Sequence, residues 1–244
     1  MPTIDEVAAT VDAVDGWLSR REGEALYELA RACRAGDGVI VEIGSWKGKS
    51  TIWLGNGSKA GQSVPIYAVD PHIGFPDVPE TYGVIKTFDE FKRNISDAGV
   101  DDVVFPLVMT SEEAAAGFTE PVALLFVDGV HEYDYVKTDF ESWFPKVRDG
   151  GMMVFHDTAG PAHTGAKRFV EQSVYRSRRF RGARFVDSAT IVEKVARNRP
   201  ADVAHLYWTL YLKKATELIP MAKVPRPVRV AGRRVLDQLQ RLGA

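Results

Sequence analysis

Two acids and two histidines stand where buried strands would end. Val122-Ala123-Leu124-Leu125-Phe126-Val127 is an apolar run followed by Asp128-Gly129-Val130-His131, and Met152-Met153-Val154-Phe155 is followed by His156-Asp157. Carboxylates at neighbouring strand ends can share a divalent cation or accept hydrogen bonds from substrate hydroxyls; hard Mg²⁺ prefers the oxygens of Asp128 and Asp157, and a ligating His156 favours a softer ion. His131, three residues beyond Asp128, has an ordinary pKa of about 6.5 and can accept a proton near neutral pH. It could equally cap the helix that follows.

A third acid, Asp70, ends the run Ile66-Tyr67-Ala68-Val69. It lies downstream of Gly38-Val-Ile-Val-Glu42-Ile-Gly44-Ser45-Trp46-Lys-Gly48-Lys-Ser50, which reads as a buried strand, a glycine turn and a helix opened by Ser50 and Thr51. Such a turn presents backbone N–H groups and a positive helix end to an anionic or polar ligand edge. The spacing to Asp70 suits an acid on the two hydroxyls of an adenosine ribose. Trp46 occupies the place where a dinucleotide fingerprint has its second glycine, which argues against a pyrophosphate.

The arrangement Glu42-x-Gly44-x-x-x-Gly48-x-Ser50 resembles the first motif of class I S-adenosylmethionine (SAM) methyltransferases, in particular the metal-dependent, catechol O-methyltransferase-like enzymes. Phe126-Val-Asp-Gly-Val-His-Glu-Tyr133, with Asp139, Trp143, Pro145, Gly150-Gly151 and Phe155-His156-Asp157, is similar to a bacterial branch that includes sugar O-methyltransferases. The resemblance spans roughly residues 17 to 195. It implies a doubly wound, mostly parallel, seven-stranded α/β sheet with an N-terminal helical cover (1–35), a catalytic domain (36–196) and a C-terminal helical extension (197–244). It also implies that Glu42, Gly44, Ser45, Gly48, Ser50, Asp70, Ser111 and Asp128 surround SAM. Asp128, His156 and Asp157 would hold a divalent metal, Mg²⁺ foremost, and His131 would take the place of the family's proton-accepting lysine, with Asp128 beside it in the catalytic set. The implied reaction is methyl transfer to a small-molecule or saccharide hydroxyl, a sugar hydroxyl foremost; phenolic natural products are the alternative acceptors.

The remaining elements must position these groups. Ser19-Arg20-Arg21-Glu22 is a capping-box pattern before a helix over about 20–34, and Trp17 and Leu18 precede it. A proline- and glycine-rich loop over 71–83 is expected on the ligand side, with His72 beside Asp70. A helix follows over 87–98, a strand over 103–108, and a helix whose N-cap is read as Ser111. Further helices are expected over 135–147 and up to about Tyr175, with Asp149-Gly150-Gly151 as a turn before the strand Met152–Phe155. Residues 184–186 and 190–192 read as an antiparallel edge hairpin.

At 244 residues and 45% hydrophobic, the chain can bury one full α/β core. Its single cysteine, Cys33, excludes a disulfide framework and reads as a core thiol. No apolar run approaches the ~20 residues needed to span a bilayer, and the expected location is cytoplasmic. The net charge of −2 hides a division: residues 1–164 carry 13 Lys+Arg and 27 Asp+Glu, and residues 165–244 carry 18 and 6. The basic half could hold RNA in a SAM-fold binding protein, but it reads more simply as pairing with the acidic half, and no nucleic-acid partner is expected. Residues 200–219 look helical. A last helix from about Val228 has an apolar stripe of Val228, Val235, Leu239 and Leu242, which fits packing in a homodimer or within the chain ahead of lying on a membrane surface.

Overall fold

A computed structural model describes residues 2–74, 86–160, 164–219 and 224–241. Among the described residues the centre is a seven-stranded, mostly parallel sheet, as the resemblance implies, in the order β3-β2-β1-β4-β5-β7-β6. The strands are β1 (Val39–Ile43), β2 (Ile66–Val69), β3 (Val104–Leu107), β4 (Val122–Val127), β5 (Val147–Phe155), β6 (Phe180–Val186) and β7 (Ala189–Lys194). Pairings from β3 through β5 are parallel, and β7 runs antiparallel to both β5 and β6. The order reverses between β1 and β4, and in such sheets ligands bind beyond the carboxyl ends of the strands at that switch.

Burial on both faces explains the near-continuous apolar strands. On one face Ile40, Ile66, Leu124, Phe126 and Val154 pack with α1 (Ile4–Asp12), α2 (Arg20–Ala32), α3 (Lys49–Ala60) and α4 (Phe88–Asp97). On the other, Val41, Ile43, Leu125, Val127, Met153 and Phe155 pack with α5 (Ser111–Gly117), α6 (Tyr133–Trp143), α7 (Thr164–Ser173) and α8 (Pro200–Glu217). The N-terminal helices share the core of α3, and their approach is very close: a Cβ on Gly57 would stand 2.2 Å from the Tyr27 carbonyl oxygen. The last helix, α9 (Arg226–Leu239), buries none of its residues.

Several local readings shift. α3 begins at Lys49 with Gly48 as its cap at φ +90°, so Ser50 and Thr51 lie inside its first turn and are not the cap. Thr110, not Ser111, caps α5, in a reciprocal pair with Glu113, and Ser111 Oγ instead accepts from Trp143 Nε1 at 2.9 Å. α6 starts at Tyr133 and ends at Trp143, and Asp149-Gly150-Gly151 lies within β5, where pairing to β4 is irregular between Val122 and Leu124. Strand pairing there overrides the local turn preference. Of the two hairpin strands β6 alone lies at an edge, because β7 is inserted beside β5. Most of the loop over 71–83, Leu242 and part of the 159–165 loop lie outside the described residues. Cys33 is half-buried at the end of α2, and burial pushes its thiol up to about 11, far from a reactive thiolate.

Candidate active site

A cavity of about 850 Å³ opens over the carboxyl ends of β1, β2, β4 and β5. Gly44, Ser45, Ser50, Asp70, Ser111, Asp128, His131, His156 and Asp157 all line it. Glu42 and Gly48 are not among the lining residues. Gly48 faces Phe91 and Ile95 of α4, and its positive φ makes the turn into α3.

The turn after β1 needs glycine for a steric reason. At Gly44, φ is +85° and a Cβ would sit 2.2 Å from the Asp128 carbonyl oxygen, so the backbones after β1 and β4 can approach only without a side chain. Asp70 is fixed by that turn: its Oδ2 accepts from Trp46 N at 2.8 Å and its Oδ1 from His72 N at 2.7 Å. Carboxylate lone pairs remain for a ligand. His72 itself is buried, with Nδ1 2.8 Å from Thr87 Oγ1 and its ring against Phe88 and Phe91, so it is a structural side chain rather than a solvated or cavity-lining one.

Glu42 lies fully buried below the turn, its Oε2 accepting from Thr51 Oγ1 at 2.5 Å. Burial pushes its carboxyl up to about 8; hydrogen bonds from Ser50 and Thr51 offset part of this, while Asp128 and Asp70 add to it. It is therefore neutral near pH 7.

After β4 and β5 the side chains form one charged cluster. His131 Nε2 lies 3.1 Å from Asp157 Oδ2 and 3.7 Å from Asp128 Oδ1. Burial alone would lower the His131 pKa, but the two carboxylates outweigh it and raise it to about 9. Asp157 is correspondingly held far below the usual carboxylate range despite its burial. His156 sits behind, with Nδ1 2.9 Å from Asp128 Oδ1 and Nε2 3.5 Å from Glu22 Oε2, and these acids raise its pKa well above the ordinary value against the effect of burial. Donor atoms of Asp128, His131 and Asp157 all lie within 4.8 Å of one another, the spacing of a cation site; His156 is not part of that set.

Other contributors were less visible in the sequence. Trp17 and Leu18 line the cavity, and the Trp17 ring lies 6.3 Å from that of Trp46. Lys49 lines it while donating to the Val14 carbonyl at 2.7 Å. Asp139, buried in the cavity wall, has a carboxyl raised by desolvation to about 6. Glu22, legible only as a capping residue, reaches His156 from α2.

Residues 41–158 match the family described as "Methyltransferase domain". The matched segment, just under half of the chain, is similar to that family. A curated relative, an uncharacterized protein of Sinorhizobium fredii, is 36% identical over 78 residues; the match covers 32% of this chain and only 6% of that protein's length. Solved structures share the methyltransferase fold. A Corynebacterium glutamicum protein superposes with a TM-score of 0.61 at 17% identity, covering 82% of this chain and 94% of that one. The SAM complex of TomG from Streptomyces achromogenes, an O-methyltransferase involved in tomaymycin synthesis, gives 0.53 at 19% identity, covering 79% and 89%. An O-methyltransferase from Bacillus cereus in complex with SAH gives 0.53 at 22%, covering 80% and 93%. Among the described residues, no helix is long and apolar enough to cross a membrane.

Proposed function

We propose that the chain is a SAM-dependent O-methyltransferase acting on a hydroxyl of a small-molecule or saccharide acceptor, a sugar hydroxyl foremost. The observation that carries this reading is one cavity with two chemically different ends. The Gly44 turn and Asp70 lie over β1 and β2, and the His131 cluster lies over β4 and β5. With β2 and β5 three strand spacings apart, the two ends are ~14 Å from each other, room for a nucleoside and an acceptor side by side.

At the first end Asp70, pinned by two backbone N–H groups, accepts from the ribose hydroxyls, and Ser45 and Ser50 flank the amino-acid portion of SAM. Ser111 and Thr110 face the base. Neutral Glu42 supports the turn without adding a third negative charge beside Asp70 and Asp128.

At the second end the acceptor oxygen attacks the sulfonium methyl. The O–C bond forms as the C–S bond breaks, the electron pair leaves with sulfur as a neutral thioether, and the hydroxyl proton passes to neutral His131 Nε2. Asp128 and Asp157 then stabilise the imidazolium. Opposite charges cancel along the path, so a dry cavity does not oppose it; the demand on the protein is alignment and proton removal.

The donor set also fits a divalent cation. Asp128 and Asp157 would hold it through their oxygens, with His131 beside it keeping its lone pair for the acceptor proton and His156 as a support behind Asp128. Bound there, Mg²⁺ would supply positive charge that acidifies an acceptor hydroxyl. Sugar hydroxyls are weakly acidic and need this help most, whereas phenols can use the same residues.

Labelled SAM incubated with glycosides, catechols and RNA tests the assignment. Label transferred to a glycoside hydroxyl is the expected result; transfer to phenols alone moves the acceptor class, and transfer to RNA alone, or NAD binding without SAM binding, overturns it.

A further inference from the structure

The two C-terminal helices leave large apolar side chains outside. α8 buries Leu206, Leu210 and Leu212 together with Asp202, His205, Thr209 and Lys213; His205 Nε2 meets the Gln240 carbonyl, Thr209 donates to the Ala183 carbonyl and Lys213 to that of Thr158. Its outer stripe is Tyr207, Trp208, Tyr211 and Leu218, with the Trp208 and Tyr211 rings stacked at 6.0 Å. The half-buried positions of α9 are Arg229, Arg233, Leu236, Asp237 and Leu239, and ion pairs from Arg233 to Asp187 and from Asp237 to Arg21 fasten it to the body. Val228, Val230 and Val235 are left more than two-fifths exposed. More than half of the exposed large hydrophobic side chains among the described residues fall between 207 and 235.

Trp208 Nε1 donates to the Leu239 carbonyl, and His205 meets the Gln240 carbonyl, so the first half of α8 lies against the end of α9. Arg226, Arg234 and Arg241 make no ion pair among the described residues. Beside the joined ends, a cavity of about 280 Å³ is lined by Arg21, Arg184 and Arg241 together with Glu24 and Asp237, and Arg21 is paired with Asp237.

We propose that the exposed stripe of α8, with the basic end of the chain beside it, is a docking surface for an anionic lipid membrane, with Tyr207, Trp208, Tyr211 and Leu218 entering the interfacial layer and Arg226, Arg234 and Arg241 meeting lipid phosphates. Tryptophan and tyrosine settle at the level of lipid headgroups, and an apolar stripe with basic flanks lies in the plane of such a surface. Charge selects lipid over a second copy of the chain. A two-fold dimer applies the same patch to itself, and residues 197–244 carry 10 Lys+Arg against 3 Asp+Glu, so the arginines of each copy would face those of the other. A membrane of negative lipids has no such penalty.

Sedimentation of the full chain with phosphatidylcholine vesicles, with and without phosphatidylserine, tests the proposal. Binding is expected with phosphatidylserine only, weakening as salt is raised. Arg226→Glu with Arg234→Glu should weaken it by about tenfold or more. Trp208→Ser with Tyr211→Ser should do the same, and because all four residues are exposed and outside the cavity of the active site, SAM binding should be unchanged in both variants. No binding to the anionic vesicles, or binding indifferent to both variants, overturns the proposal. So does concentration-dependent dimerisation that Trp208→Ser with Tyr211→Ser abolishes in the absence of lipid binding, which would assign the stripe to a second copy. The SAM measurement separates either failure from a failure of the methyltransferase reading.

Discussion

Glu22 of α2 reaches His156 at the end of β5, Oε2 to Nε2, at 3.5 Å, while its Oε1 accepts from Ser188 N and Oγ at 2.8 and 2.7 Å. One buried carboxylate thus joins the N-terminal helices, the β6–β7 turn and the charged cluster after β4 and β5. Burial acts to raise its pKa, but the His156 and Ser188 contacts prevail and hold it at about 2, against an ordinary 4.5. Its stabilising contribution is full above pH ~4.5 and fades as pH falls toward 2. That of His156, whose pKa is raised, is full below its ordinary value of 6.5 and fades as pH rises through its folded-state value. Glu22→Gln should therefore cost on the order of 3 kcal/mol near pH 6 and much less near pH 2.5, as read by urea unfolding. An unchanged midpoint at pH 6 would show that the pair contributes nothing net.

Asp70→Ala removes the acid assigned to the ribose. Hydrogen bonds to a charged group are worth about 1.5–3 kcal/mol each, so calorimetry should find SAM affinity reduced by tenfold or more. Retained affinity would move the ribose contact elsewhere.

Replacing Gly44 by alanine tests the turn. The new Cβ meets the Asp128 carbonyl at 2.2 Å in a conformation that L-residues avoid, so the β1 and β4 ends must separate. Loss of SAM binding together with a lowered Tm is expected; a variant with normal affinity would mean the turn can relax without disturbing the cofactor end.

His131→Ala should lower kcat by about 10²–10⁴-fold while SAM remains bound. Because Asp128 and Asp157 raise the His131 pKa to about 9, its neutral, proton-accepting form accumulates only as pH rises, and kcat in the wild type should climb toward that value. The variant should lose this rising limb. If both proteins share one pH profile, His131 is not the base.

A chelator addresses the cation. Turnover should fall in EDTA and return with Mg²⁺ or Mn²⁺, with SAM affinity unaffected because the set Asp128, His131 and Asp157 lies at the acceptor end. A cation between the two carboxylates competes with the His131 proton, so added Mg²⁺ should also shift the rising limb to lower pH. Full activity in EDTA would leave the carboxylates as hydrogen-bond partners of the acceptor and of His131 alone.

By itself the sequence determined the sheet, the glycine turn and the placement of Asp70, Asp128 and Asp157 at strand ends. These follow from local runs: doubly buried strands are apolar throughout, and the polar residue that ends each run is the one delivered to the ligand side. The tertiary structure decided what those residues touch. His131 is grouped with Asp157 across 26 residues, and His156 is drawn back toward Glu22 across 134, because the packing of α2 and β5 sets those distances and no local periodicity encodes it. The same holds for Gly150-Gly151, a turn by composition that pairing places within β5, and for α8 and α9. Their apolar positions were legible, but a helical period does not say which of them turn inward: α8 buries Leu206, Leu210 and Leu212 beside polar groups that meet carbonyls of the body, and leaves Tyr207, Trp208 and Tyr211 outside.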